Sequence, residues 1–142
     1  MEIGITHREG EVPVTIIRVE GEFDAFTSDH VEKQAEIEID KGAENLILDL
    51  SGVAFMSSAG VRVIYSLFNS LHPRESSQQE IARSKQMREG TYTAPHLKIL
   101  NPNKQVRNVM KMVGIDRYIE IIDDEEAAVA AFHPLDGSEG IS

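Results

Sequence analysis

The chain has 142 residues, 41% of them hydrophobic and 6% aromatic, which is enough for one domain with a single aliphatic core and too apolar for a disordered polymer. Its 14 Lys and Arg stand against 24 Asp and Glu, and a formal net charge of −10 repels the phosphate backbone whose neutralisation drives nucleic-acid affinity, so no direct nucleic-acid partner is expected. The absence of cysteine excludes disulfides, thiolate metal sites and a cysteine nucleophile, and no window nears the roughly 20 apolar residues of a spanning helix; the expectation is a cytoplasmic protein without membrane insertion.

Ile3 and Ile5 alternate with polar neighbours, and 14–20 (VTIIRVE) is rich in β-branched residues, which predicts an opening hairpin with its turn over 8–11. After the turn Gly21-Glu22-Phe23-Asp24, Thr27 or Ser28 is placed to cap a helix that runs to Lys41, with Val31, Ala35, Ile37 and Ile39 only partly on one stripe and Gly42 as its stop. The run 46–50 (LILDL) is a short apolar strand covered on both faces; it leads through SGVAFM into Ser57-Ser58-Ala59-Gly60 and then into 61–71, where Val61, Ile64, Tyr65, Leu67, Phe68 and Leu71 recur at three-and-four spacing.

Residues 73–95 (PRESSQQEIARSKQMREGTYTAP) form a polar, slightly basic connection where two to six residues usually suffice. They read as a surface loop with one or two helical turns over 80–88, or as a loop that touches a partner. A strand over 97–100, a helix marked by Val106, Val109, Met110 and Val113 and closed by Gly114, a strand over 119–122 and an acid-started helix to Phe132 complete the chain. Residues 133–142 read as a flexible C-terminal tail. Strands alternating with helices after a hairpin describe a single α/β domain over 1–132, a mixed sheet of four to five strands packed by about four helices.

Chemical motifs are sparse. His7, His30, His72, His96 and His133 are scattered without metal-ligand spacing, neither G-x-x-x-x-G-K-[ST] nor G-x-G-x-x-G occurs, and Ser57-Ser58-Ala59-Gly60 is not the G-x-S-x-G elbow, so neither enzymatic activity nor a cofactor or metal is expected. Glu22 and Asp24 are paired acids after a strand, open to acid–base chemistry or to the plainer role of a turn and helix-start cluster. The two serines stand where a strand delivers hydroxyls to a helix N-terminus, a place that stabilises anions; a serine there is either a cap or a charge switch.

The segment Asp49-Leu50-Ser51-Gly52-Val53-Ala54-Phe55-Met56-Ser57-Ser58-Ala59-Gly60-Val61 resembles the signature of the STAS domain, in particular that of bacterial anti-sigma factor antagonists. Gly21-Glu22-Phe23-Asp24 is similar to that family's Gly-Glu-Leu-Asp turn, and 106–115, with Met112-Val113-Gly114-Ile115, to its closing helix and glycine turn. The resemblance covers 1–132 apart from 73–95. It implies a STAS-like sheet backed by helices and a binding function: the antagonist binds an anti-sigma factor serine kinase, frees a sigma factor for transcription, and is switched off by phosphorylation at the start of the second helix. A phosphatase acting on phosphoserine would reset it. That serine aligns with Ser58, with Ser57 as rival in a place where many members carry Asp and Ala59 in that of a second Ser or Thr; Glu22, Asp24, Ser57, Ser58, Ala59 and Gly60 are the implied partner-binding residues. The alternatives are a STAS binding or scaffold module without phosphorylation, with a small-molecule or lipid ligand, and an enzyme built on Asp24, Glu22 and Ser58.

Overall fold

The computed structural model describes residues 2–71, 81, 84, 85, 88 and 94–133. The hairpin forms as the alternation predicts: β1 (Glu2–Glu9) pairs antiparallel with β2 (Pro13–Phe23), with Ile3 and Ile5 turned to the core. There follow α1 (Ala25–Asp40), β3 (Leu46–Met56), α2 (Ser58–Ser70), β4 (Leu97–Leu100), α3 (Lys104–Val113), a 3-10 turn (Ile115–Arg117), β5 (Glu120–Ile122) and α4 (Glu125–Ala130). The sheet order is β1-β2-β3-β4-β5, parallel from β2 onward.

This monotonic order determines where the helices lie. Right-handed crossovers that always step in one direction place α1, α2 and α3 on a single face. There Val31 and Ala35 of α1, Val63, Ile64 and Leu67 of α2, and Val106 and Met110 of α3 pack on Ile17, Val19, Leu46, Leu48 and Ile99. The other face is left to the short α4, whose Ala128 and Val129, with Phe132, cover Val14, Ile16, Ile47 and Leu100. Arg8 fastens this helix to the hairpin through Glu125 and Glu126.

Three expectations are corrected. Gly21-Glu22-Phe23-Asp24 is not a free turn: β2 continues through Phe23, and Gly21, at φ 106°, lies within the stretch where the pairing with β3 shifts register. The α1 cap is neither Thr27 nor Ser28 but Asp24, whose carboxylate accepts from the N–H groups of Phe26 and Thr27 (2.9 and 3.2 Å) while the Asp24 N–H donates to Thr27 Oγ1 (3.0 Å); this reciprocal pair starts the helix three residues early. The strand over 46–50 runs on to Met56, because one register shift absorbs the interruption just before Gly52 and a second, at Ala54, follows without ending the pairing.

The fully buried stripe of α1 is Ser28, Val31, Ala35 and Glu38; as the imperfect periodicity implies, Ile39 packs against the core only in part and Ile37 is exposed. Glu38 is tolerated there because His7 Nε2 (2.9 Å) and Lys41 Nζ (3.6 Å) meet its two oxygens. Within 73–95, Ile81, Ser84, Lys85 and Arg88 are helical and exposed, as the turns expected over 80–88 require, and Ala94 is buried and donates its N–H to the Tyr118 carbonyl; the rest of that segment and of the tail lies outside the described residues, except that His133 meets Glu11 at 3.2 Å.

Candidate functional site

The C-terminal ends of parallel strands are where such sheets present their sites, because each strand there hands over to a helix N-terminus. Here β2 and β3 end side by side, with Glu22 opposite Phe55 and Phe23 opposite Met56; Asp24 then starts α1 and Ser57 starts α2. Glu22, Asp24, Ser57 and Ser58, chosen from sequence at separate points of the chain, therefore share one end of the sheet.

The end of β3 is held on both sides. Asp49 accepts from the Ser51 N–H and hydroxyl (2.9 and 2.7 Å), shaping the first bulge, and a Cβ on Gly52 would sit 2.8 Å from Glu20 Cγ and 3.3 Å from the Val19 carbonyl oxygen, so the close approach of β2 requires glycine. Toward α3, Asn103 Nδ2 donates to the carbonyls of Val53 and Ala54 (3.1 and 3.2 Å), and Gln105 accepts from the Met56 N–H (3.0 Å). Toward β2, the Ser57 N–H donates to the Phe23 carbonyl (3.0 Å). Gly60, which is buried, is held to glycine by the same kind of close approach: a Cβ there would meet Met56 Cγ at 2.7 Å and Phe23 Cγ and O at 3.0 and 3.1 Å.

On this platform the two serines take different roles. Ser57 is the N-cap, with extended backbone and its Oγ accepting from the Ala59 N–H at 3.1 Å. Ser58 is the first helical residue; it is exposed, and among the described residues its hydroxyl makes no hydrogen bond. The capping role thus falls on Ser57 and leaves the Ser58 oxygen free at the positive end of α2. Asp24 is occupied as the α1 cap, whereas the Glu22 carboxylate is exposed and, among the described residues, forms no ion pair. Ala59 is half-buried beside the cap.

Behind the site, α1 and α2 are joined by a polar clasp. Glu32 accepts from the Ser66 hydroxyl at 2.5 Å and faces Arg62 at 3.3 Å, and Arg62 also reaches Asp29 at 3.5 Å. The Ser66 hydrogen bond foremost, then Arg62, holds the Glu32 carboxyl below its ordinary range.

Sequence reasoning missed four contributors. Asn103 and Gln105 anchor β3; an Asn before an amphipathic run was a readable cap signal, and Asn103 does cap α3 through the Val106 N–H, but its second bond to β3 was not. Phe26 and Phe55, 89% and 44% exposed at this same end, carried no signal because periodicity does not show which aromatic lies off the buried stripe. Among the described residues no group of His, Asp or Glu is arranged to hold a metal, and no helix is long and apolar enough to cross a membrane.

The family model of the STAS domain matches residues 5–78. The anti-sigma-B factor antagonist of Listeria monocytogenes is 36% identical over 76 residues, covering 54% of this chain and 67% of that protein. The anti-sigma F factor antagonist of Paenibacillus polymyxa is 25% identical over 130 residues, 91% and 92% of the two chains. In fold, the chain is similar to the anti-sigma factor antagonist SpoIIAA in its unphosphorylated form, with TM-score 0.64 and 22% identity over 99% of each chain. The phosphorylated form of the Bacillus SpoIIAA aligns with TM-score 0.58 and 20% identity over 89% of this chain and 96% of that one.

Proposed function

This chain belongs to the STAS domain family, among the anti-sigma factor antagonists, and from that premise we propose that it binds an anti-sigma factor serine kinase and is released from it by phosphorylation of Ser58. The observation that carries the reading is the division of labour between neighbouring serines: Ser57 Oγ is committed to the helix cap, while Ser58 Oγ is exposed and uncommitted. A kinase needs a reachable hydroxyl whose modification leaves the fold intact. Ser58 meets both conditions.

A phosphate on Ser58 brings about −1.5 to −2 charges to the start of α2. The helix dipole offsets this by about 0.3–1 kcal/mol, so the free protein keeps its fold. Docking is affected differently: a partner packed over Ser58 must strip water from a dianion at the same sheet end as the exposed Glu22, which has no ion pair among the described residues, and a penalty of about 2.7 kcal/mol already weakens binding a hundredfold. A phosphatase acting on phosphoserine resets the site, and the protein's influence on transcription runs through the kinase and its sigma factor; it is a binding protein and not an enzyme.

The test is intact-mass spectrometry after incubation with the anti-sigma factor kinase of the same genome and ATP. The reading expects a single phosphate, absent in Ser58→Ala and retained in Ser57→Ala. Incorporation that survives in Ser58→Ala and disappears in Ser57→Ala moves the acceptor by one residue and defeats it.

A further inference from the structure

Five phenylalanines are present, and they divide sharply. Phe23, Phe68 and Phe132 are 0%, 6% and 1% exposed, whereas Phe26 and Phe55 are 89% and 44% exposed. Phe26 stands almost wholly in water, and Phe55 keeps close to half of its surface there. Phe26 sits in the first turn of α1, off the buried stripe of Ser28, Val31, Ala35 and Glu38, and Phe55 is the penultimate residue of β3, beyond the second register shift. Both stand at the sheet end that carries Ser58: the Phe26 N–H donates to the Asp24 cap, and Phe55 pairs across the strands with Glu22 and is separated from Ser58 by two residues.

Met112 and Val113 are also exposed, at the C-terminal end of α3, but Phe26 and Phe55 are the exposed phenylalanines and both stand at the end that carries Ser58; large aromatic side chains are the kind of anchor whose truncation costs most at typical interfaces. We propose that Phe26 and Phe55 are the apolar anchors that dock this end of the sheet into an apolar cleft of the anti-sigma factor kinase, with one cation at the cleft's rim facing Glu22. This rests on the reading of Ser58 as the switched contact and supplies its physical basis. An apolar seat around Ser58 makes the contact dry, and a dry contact is where a phosphate is hardest to accommodate. A broadly basic partner face would instead grip the phosphorylated form more tightly, so an apolar cleft is the chemistry that agrees with release. Glu22, exposed and without an ion-pair partner among the described residues, is the group that would occupy the rim cation in the complex and leave it unavailable to a phosphate.

The test is titration calorimetry of the purified kinase with the wild type and with Phe26→Ser, Phe55→Ser, Ser58→Ala and Ser58→Asp. Phe26→Ser, at an almost fully exposed ring, is expected to melt as the wild type does by circular dichroism, whereas Phe55→Ser, at a half-covered ring, is expected to melt somewhat earlier and is titrated well below its melting point; hydrogen exchange of 22–27 and 53–58, free and bound, supplies a reading that needs no variant. The expectation is a loss of at least thirtyfold in affinity for each Phe→Ser, equivalent to about 2 kcal/mol, near-wild-type binding by Ser58→Ala, and protection of both segments in the complex. Phe→Ser variants that bind within threefold of wild type while Ser58→Asp loses binding overturn the anchors and leave the switch standing. Loss by the Phe→Ser variants with full binding by Ser58→Asp supports the anchors and overturns the switch. Self-association of the wild type that Phe26→Ser abolishes assigns the rings to a second copy of the chain and overturns the proposal.

Discussion

Replacing Gly60 with alanine sets two effects against each other, and the structure decides between them. Alanine gains about 1 kcal/mol over glycine inside a helix from backbone entropy. Against this, the new Cβ lands 2.7 Å from Met56 Cγ, 3.0 Å from Phe23 Cγ and 3.1 Å from the Phe23 carbonyl oxygen. Met56 and Phe23 are buried, 1% and 0% exposed, so neither side chain has room to swing away, and the carbonyl belongs to a paired strand. Overpacking of this kind costs about 1–3 kcal/mol. The helix start relieves it by lifting away from β2, which stretches the 3.0 Å bond between the Ser57 N–H and Phe23 O and forfeits up to about 1 kcal/mol more. The net expectation is a loss of up to about 3 kcal/mol, measured by urea denaturation followed by circular dichroism, together with slower phosphate incorporation, because Ser58 rides on the displaced turn. Gly4→Ala is the control: nothing lies within 4 Å of its Cβ, and its stability should match the wild type within about 0.5 kcal/mol. A Gly60→Ala protein more stable than wild type would show that propensity outweighs the close approach and that the serine turn is not held by packing.

Three further outcomes follow from the same geometry. Ser57→Ala removes a cap and costs about 1 kcal/mol by urea denaturation, while Ser58→Ala, at an exposed side chain without a hydrogen bond among the described residues, changes stability by less than about 0.5 kcal/mol; equal losses would contradict the separation of roles. Asp24→Ala opens the reciprocal α1 cap and costs about 1–2 kcal/mol, whereas Glu22→Ala is neutral for stability and weakens partner binding most at low salt. Because the folded state holds the Glu32 carboxyl below its ordinary range, the stability it contributes is complete above that range and is lost as pH falls through the lowered folded value. Acid unfolding of Glu32→Gln should therefore be less steep than that of the wild type below the ordinary carboxylate range, and identical acid limbs would deny the clasp any energetic part.

Much of the fold is legible in the residues because local and long-range signals agree. Alternation around Ile3 and Ile5 gives the edge hairpin, the three-and-four spacing from Val61 gives the covering face of α2, and Gly114, at φ 84°, ends α3 where a left-handed residue is needed. Boundaries are lost where side chains compete with the backbone for the same partners. Asp24 outcompetes Thr27 and Ser28 as cap because the Thr27 hydroxyl turns back to the Asp24 N–H and the Glu22 carbonyl, leaving Thr27 a partner in the cap and not its origin. Ser51-Gly52 looks like a strand end, yet Asp49 satisfies Ser51 locally and Gly52 lets β2 stay close, so pairing resumes beyond them.

The site is legible in the same uneven way. Ser57 and Ser58 are marked by position, but which of them caps depends on a 3.1 Å bond to Ala59 that spacing alone does not supply. Asn103 and Gln105 hold β3 from about fifty residues away, and two exposed phenylalanines look in sequence like the three that are buried. Such contributors are products of tertiary proximity, which a linear pattern does not encode.

The central claim, that added charge at Ser58 decides docking while the core is untouched, is tested most directly on the phosphorylated protein itself. Phosphoserine installed at Ser58 and compared with the unmodified chain by titration against the purified anti-sigma factor kinase should raise Kd by about a hundredfold, equivalent to about 2.7 kcal/mol, with the melting curve of the free protein unchanged. Equal Kd for the two forms, or a phosphorylated chain that has lost its cooperative melting, would contradict the account.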